Sequence, residues 1–186
     1  MPKSKYSHSE VTESLMEVFR KVGYEGASME ELSKAVGLRK SSLYHHFPKG
    51  KKQMAEEVLK FASRWVSENI VSHLNSDSDP DERLKRALEG INTLYSDGSS
   101  ACILRALSMD TGLGLFFTLI NTAFDDLIGG FSKLARDFGK SDAESKVIAE
   151  DIVIKIQGSL VVGSGTGNVT LFGRMLSDIE ASFIGN

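Results

Sequence analysis

The 186 residues are 41% apolar and 25% charged, enough to close a sizeable core and too many for one small binding module. The formal charge of −3 looks wrong for a nucleic-acid binder until it is divided: residues 1–60 hold 11 Lys and Arg against 8 Asp and Glu, net +3, and residues 61–186 hold 11 against 17, net −6. Cys102 is the single cysteine, which excludes an intramolecular disulfide and fits a reducing cytosol. No apolar run approaches the roughly 18 residues of a membrane span, and Met1-Pro2-Lys3-Ser4-Lys5 has no apolar stretch behind it, so neither a membrane anchor nor a signal peptide is expected.

The periodicity is helical almost throughout, without the alternation of strands. Val11, Leu15, Val18, Phe19 and Val22 stripe a first helix. Ser28-Met29-Glu30-Glu31 is a capping box that starts a second at Met29, with Leu32, Ala35 and Val36 inward and Gly37 as its stop. Arg39-Lys40-Ser41-Ser42-Leu43-Tyr44-His45-His46-Phe47, closed by Pro48, is a short third helix. A long fourth runs from about Lys51 to Leu74 and is striped by Val58, Phe61, Ala62, Trp65, Val66, Ile70 and Leu74. After a loop to Pro80 comes a fifth helix on Leu84, Leu88, Ile91 and Tyr95, then a short sixth carrying Cys102, Ile103, Ala106 and Leu107. Phe116, Ile120, Phe124, Leu127, Phe131, Leu134 and Phe138 recur every three or four residues until Gly139. A capping box at Ser141–Glu144 opens a helix on Val147, Ile148, Ile152, Ile156 and Leu160. Gly163 to Asn168 reads as a flexible loop before a final helix striped by Leu171, Phe172, Met175, Leu176, Ile179 and Phe183.

The third helix divides its labour. Leu43 and Phe47 are four apart and share the anchoring face. Lys40, Ser41, Tyr44 and His45 project from the other side, each able to donate a hydrogen bond and none acidic. Between Lys34 and Lys52 there are six basic residues and no acid; local charge of this kind neutralises phosphates whatever the net charge. Helix, short glycine-containing turn and helix is the helix-turn-helix layout, whose second helix enters the major groove. A generic helix pair with a basic surface is the blander reading.

These residues resemble the DNA-binding domain of the TetR family of transcriptional repressors. The resemblance runs from Phe19-Arg20-Lys21-Val22-Gly23-Tyr24 through Ser28-Met29-Glu30-Glu31-Leu32 and Ala35-Val36-Gly37 to Leu43-Tyr44-His45-His46-Phe47, with Lys49 to Ala55 similar to the entry of the family's linking helix. It covers about a third of the chain. It implies an all-α fold of about nine helices: a three-helix DNA-binding domain over residues 1–50 and a ligand-binding and dimerisation bundle over 51–186. It also implies a homodimeric, ligand-responsive repressor on a palindromic operator, with DNA touched by Ser28, Lys40, Ser41, Ser42, Tyr44, His45 and His46. Arg39, Lys49 and Lys51 join them as phosphate partners. Two departures stand out. Ser41 occupies a place where the family often has glycine, and Arg39 one usually held by Ser or Thr.

The family implies a cavity for a small apolar or amphipathic effector, and Trp65, Tyr95, Cys102, Arg105, Met109, Phe116, Phe117, Ile120 and Phe124 are its candidate lining. Ile152, Ile156, Leu160, Phe172, Met175, Leu176 and Ile179 form one-sided apolar stripes that are candidates for the dimer interface. Rival readings fare worse. Adjacent His45 and His46 point about 100° apart on a helix, with no ligand at i+4, so no metal is expected. Gly163-Ser164-Gly165-Thr166-Gly167 fits neither a dinucleotide fingerprint nor a P-loop. No nucleophile elbow or zinc-protease motif occurs, so no enzyme and no cofactor is expected. The alternative kept open is a helical small-molecule-binding or enzymatic bundle with a vestigial helix-turn-helix.

Overall fold

The computed structural model describes residues 7–184; the reading of Met1 to Lys5 lies outside them. Among the described residues there are nine helices and no strand, as the periodicity predicts. They are α1 (His8–Gly26), α2 (Met29–Val36), α3 (Lys40–His46), α4, α5 (Pro80–Leu94), α6 (Ile103–Leu107), α7 (Thr111–Asp137), α8 (Asp142–Thr166) and α9 (Thr170–Ile184). Helix α4 is composite: Lys51–Val66, a π-helical turn at Ser67–Val71, and Ser72–Leu74. The residues gather into two compact units, 7–62 with 103–120, and 63–102 with 121–184.

The first unit is closed by Val11, Leu15 and Phe19 of α1, Leu32 and Val36 of α2, and Leu43 and Phe47, over Met54, Val58 and Leu59 of α4, all buried. Local chemistry sets the helix ends. Ser28 Oγ accepts from the Glu31 amide at 3.2 Å, and Glu31 Oε2 accepts from the Ser28 amide at 3.0 Å. Ser7 and Glu10 repeat this box at the start of α1, a signal present in the sequence as Ser-x-x-Glu. Gly37 turns left-handed at φ 70° and ends α2 within one residue, which lets α3 follow at once. Gly23 (φ 69°, ψ −174°) bends α1 before its last turn.

The second unit buries Ile70, Leu74, Leu84, Ile91, Phe131, Leu134, Ile152, Ile156, Phe172 and Ile179. Its polar core is carried by Arg83, whose Nη1 donates to Asp137 Oδ2 at 2.7 Å and whose Nε donates to the Leu74 carbonyl at 3.1 Å. Gly163 to Thr166, expected as a loop, are the last turn of α8 instead. Glycine costs about 1 kcal/mol in a helix interior, yet here the stop signal comes later: Gly167 is left-handed (φ 69°) and its amide donates to the Gly163 carbonyl. Only the last glycine of the run ends the helix. Val147, expected on the inner stripe of α8, is 57% exposed.

The three capping-box glutamates share one electrostatic signature. Glu10 and Glu31 are held below the ordinary carboxyl value by hydrogen bonds from the Ser7 and Ser28 backbone amides, and Glu144 chiefly by the Ser141 side chain. A carboxyl lowered in the folded state favours folding above its unfolded pKa, here 4.5, and that favour disappears as pH falls through the folded value. Thermal stability should therefore decline below about pH 4.5. In a Glu31→Gln protein the decline should be shallower in melts taken between pH 3 and 6, and an identical slope would remove the capping boxes as its cause.

Candidate nucleic-acid interface

Helix α3 stands on Leu43 and Phe47, both fully buried. That anchorage turns Lys40, Ser41, Tyr44 and His45 outward, all exposed, with Ser42 and His46 half-buried at the edge. Tyr44 leaves 49% of its surface open. Gly50, left-handed at φ 65°, lies beneath its ring, where an added Cβ would stand 3.4 Å from the ring edge. The His45 and His46 rings meet edge-on with centroids 6.1 Å apart, and His46 is 6.4 Å from Phe47. Ser28 is exposed as the N-cap of α2, and Arg39 is the N-cap of α3 without a side-chain capping bond.

Two features of this surface differ from the sequence reading. Lys51 is not a free phosphate partner: its Nζ donates to the Tyr24 carbonyl at 2.8 Å and sits 4.5 Å from the centre of the Tyr24 ring. The ammonium is spent on the end of α1, as a capping bond and a cation–π contact. The face is also not free of acid. The fold brings Glu30 of α2 within 3.8 Å of Lys40, both side chains exposed. Such a pair contributes roughly 0–1 kcal/mol, so a phosphate competes for Lys40 with little loss.

Tyr24 is the residue whose importance the sequence concealed. Its ring stacks on Phe19 at 6.5 Å and meets Phe116 edge-on at 5.2 Å. Burial, then the charges of Glu25 and Glu56, push its hydroxyl pKa up. Around it, Thr111 Oγ1 donates to Glu25 Oε1, and a Cβ on Gly23 would meet the Ala106 carbonyl at 3.3 Å. Helices α6 and the start of α7 thus belong to the same compact unit as the helix-turn-helix, packed on the bend that Gly23 creates.

The candidate effector residues divide between the units. In the first, Phe116 and Ile120 are buried, whereas Arg105 is exposed and Met109 and Phe117 are 51% and 58% exposed. Side chains open to solvent to this extent line no enclosed apolar cavity of the kind expected, so these three are corrected. In the second, Tyr95 and Cys102 are buried, with the Tyr95 hydroxyl 3.6 Å from Cys102 Sγ and 3.4 Å from Gln157 Nε2. Trp65 and Phe124 are half-buried.

The candidate interface residues are largely committed elsewhere. Ile152, Ile156, Leu160, Phe172, Met175 and Ile179 are buried within the second unit, and Leu176 is half-buried. The apolar side chains left open on α8 are Val147, Ile154, Val161 and Val162, with Val169 just before α9. Val147, Ile154 and Val161 are seven apart and share one side of the helix. Gly158 and Gly165 fall on that same side, and an added Cβ at either would meet nothing within 4 Å.

Comparison with known proteins agrees with this geometry. Residues 11–58 match the family described as "Bacterial regulatory proteins, tetR family". The HTH-type transcriptional regulator LmrA of Bacillus subtilis is 22% identical over 168 residues, 88% of this chain and 89% of that protein. The IcaR negative regulator of the biofilm operon in Staphylococcus aureus is 26% identical over 68 residues, 37% of this chain and 36% of its own. A TetR regulator from Legionella pneumophila superposes with TM-score 0.82 at 17% identity, covering 97% of this chain and 98% of the other. With a capped helix-turn-helix, an outward donor face on α3 and these likenesses together, residues 11–58 carry a DNA-binding domain of the tetR family, and over most of its length the chain is similar to TetR-type transcriptional regulators, which are DNA-binding proteins rather than enzymes.

Proposed function

We propose that the protein is a ligand-responsive repressor that binds a palindromic operator as a homodimer in the cytoplasm. The observation that carries this reading is the outward face of α3, where Lys40, Ser41, Tyr44 and His45 are exposed over a buried Leu43–Phe47 anchor. Two such helices in successive major grooves require half-sites roughly 34–36 Å apart. Ser28, Arg39, Lys40 and Lys49 hold phosphates and set the register; Ser41, Ser42, Tyr44, His45 and His46 approach base edges. The repressor sense is supported by the likeness to a protein named as a negative regulator. Residues 1–50 supply the reading head, and residues 51–186 the effector and dimerisation functions. An effector enters through the second unit's core, where Tyr95 and Cys102 are the polar candidates among apolar neighbours. It releases DNA only to the extent that it prefers the DNA-incompetent state. The dimer forms on the open side of α8 rather than on the stripes expected at first.

The test is titration of the protein's own promoter fragment at several salt concentrations. Tyr44→Ala should weaken operator binding by about 1–3 kcal/mol while leaving non-specific binding intact. Lys40→Ala should weaken binding to every sequence and flatten the log–log salt slope by about 0.9, one phosphate's share. Undiminished operator affinity in Tyr44→Ala would remove α3 as the reading helix.

A further inference from the structure

One depression of the second unit shares only Trp65 with the residues assigned above. It has a volume of about 360 Å³ and is lined by Trp65, Asn69 and His73 of α4 and Arg86, Glu89, Gly90 and Thr93 of α5. That volume falls within the range of small-molecule sites. Its floor is unusual. Helix α4 widens to a π turn at Ser67–Val71, an irregularity that recurs at functional sites. Gly90 lies directly on the bulge, since a Cβ there would stand 2.5 Å from the Asn69 carbonyl. The absence of a side chain lets α5 press backbone against backbone. Arg86 and Thr93, one turn to either side of Gly90, then rim the hollow.

The lining offers more donors than it uses. Asn69 Nδ2 donates to the Trp65 carbonyl at 2.8 Å, which uses one of its two N–H groups. Thr93 Oγ1 donates to the Glu89 carbonyl at 2.9 Å. Arg86 Nη2 is held by Glu82 Oε1 at 2.5 Å, leaving most of the guanidinium's five N–H groups uncommitted. Among the described residues no hydrogen bond is recorded to the Trp65 indole N–H or the His73 ring. Glu89 is the one carboxylate of the lining. An aromatic face surrounded by uncommitted donors, one of them a guanidinium, fits a flat ring carrying an anionic acceptor.

We infer that this depression binds a planar aromatic carboxylate, its ring on Trp65 and its carboxylate on Arg86. Trp65 is the chain's single tryptophan, so its emission reports occupancy of this place and no other, in the intact protein without DNA or an assumed effector. The reading of the chain as a repressor is therefore tested separately. Benzoate should change Trp65 fluorescence saturably, with a midpoint of about 1 mM, as a ligand of roughly ten heavy atoms allows. Arg86 is exposed, so Arg86→Met should keep the fold, checked by circular dichroism, and raise the midpoint at least tenfold. Benzyl alcohol, aromatic without the charge, and cyclohexanecarboxylate, charged without the aromatic ring, should each bind at least tenfold more weakly. The inference is overturned by a strictly linear, collisional response to benzoate, by an unchanged midpoint in Arg86→Met, or by equal binding of either control compound.

Discussion

An Ile154→Asp protein should remain folded, sediment as a monomer and lose its operator. Ile154 is 66% exposed, so an aspartate there costs the isolated chain little. It would lie in the middle of the open α8 stripe, with Val147 one heptad before and Val161 one after. Gly158 and Gly165 leave that side low enough for a second helix to approach closely. A pair of such faces makes a two-fold interface in which residue 154 meets its neighbourhood from the other copy. Two unpaired carboxylates buried there cost several kcal/mol in total. Because each half-site binds weakly by itself, loss of the dimer should lower operator affinity by about 100-fold or more, the effect of some 3 kcal/mol. The same substitution at Met175, which is 7% exposed, should instead unfold the chain, because the charge then enters the protein's own core. Sedimentation and circular dichroism on the two variants separate the outcomes. A dimeric, operator-binding Ile154→Asp protein would mean that the interface lies elsewhere.

That contrast also marks the boundary of what the sequence makes legible. Helix ends set by neighbouring residues could be read directly: Ser28 with Glu31, Ser141 with Glu144, Gly37, and Pro80 after Asp79 all act where the sequence puts them. So could the anchor of α3, because Leu43 and Phe47 are one turn apart and the short helix has a single apolar side. Helix α8 was less readable because it is apolar on more than one side: Ile152, Val153, Ile156 and Leu160 go inward, and Val147, Ile154, Val161 and Val162 outward. When apolar residues lie on both sides, periodicity cannot say which side meets the core. The glycine run at its end reads as a loop on local propensity alone, which takes no account of the left-handed cap at Gly167. The roles of Lys51 and Glu30 were invisible for another reason. Lys51 is spent on a carbonyl 27 residues away, and Glu30 reaches Lys40 only when the turn at Gly37 folds α2 against α3. Charge counted along the chain therefore overstated the free cations of the DNA face.

Arg83→Ala should be the most destabilising change available without touching the apolar core. Arg83 is 4% exposed, and three of its nitrogens are engaged. Nη1 donates to Asp137 Oδ2, and Nε and Nη2 both donate to the Leu74 carbonyl at the end of α4. One planar side chain thereby ties the C-terminus of α4 to the last turn of α7 from its place on α5. Truncation would leave the Leu74 carbonyl without its partner, which costs about 1–3 kcal/mol. It also removes the packing of the buried stem. The Asp137 share is smaller than in a fully buried pair, because that side chain is 38% exposed and water can solvate the freed carboxylate. A total of about 3 kcal/mol is expected, at the low end of the roughly 3–5 kcal/mol for breaking a buried ion pair, and at this chain length it should lower the melting temperature by about 6–12 °C. Arg83→Lys should recover only part of the loss, since one ammonium cannot reproduce the forked contact with a carbonyl and a carboxylate at once. Asp137→Asn should cost the least of the three, because it keeps an acceptor for Nη1. Thermal melts of these variants check the order, and a lysine protein as stable as the wild type would show that the fork contributes nothing beyond its charge.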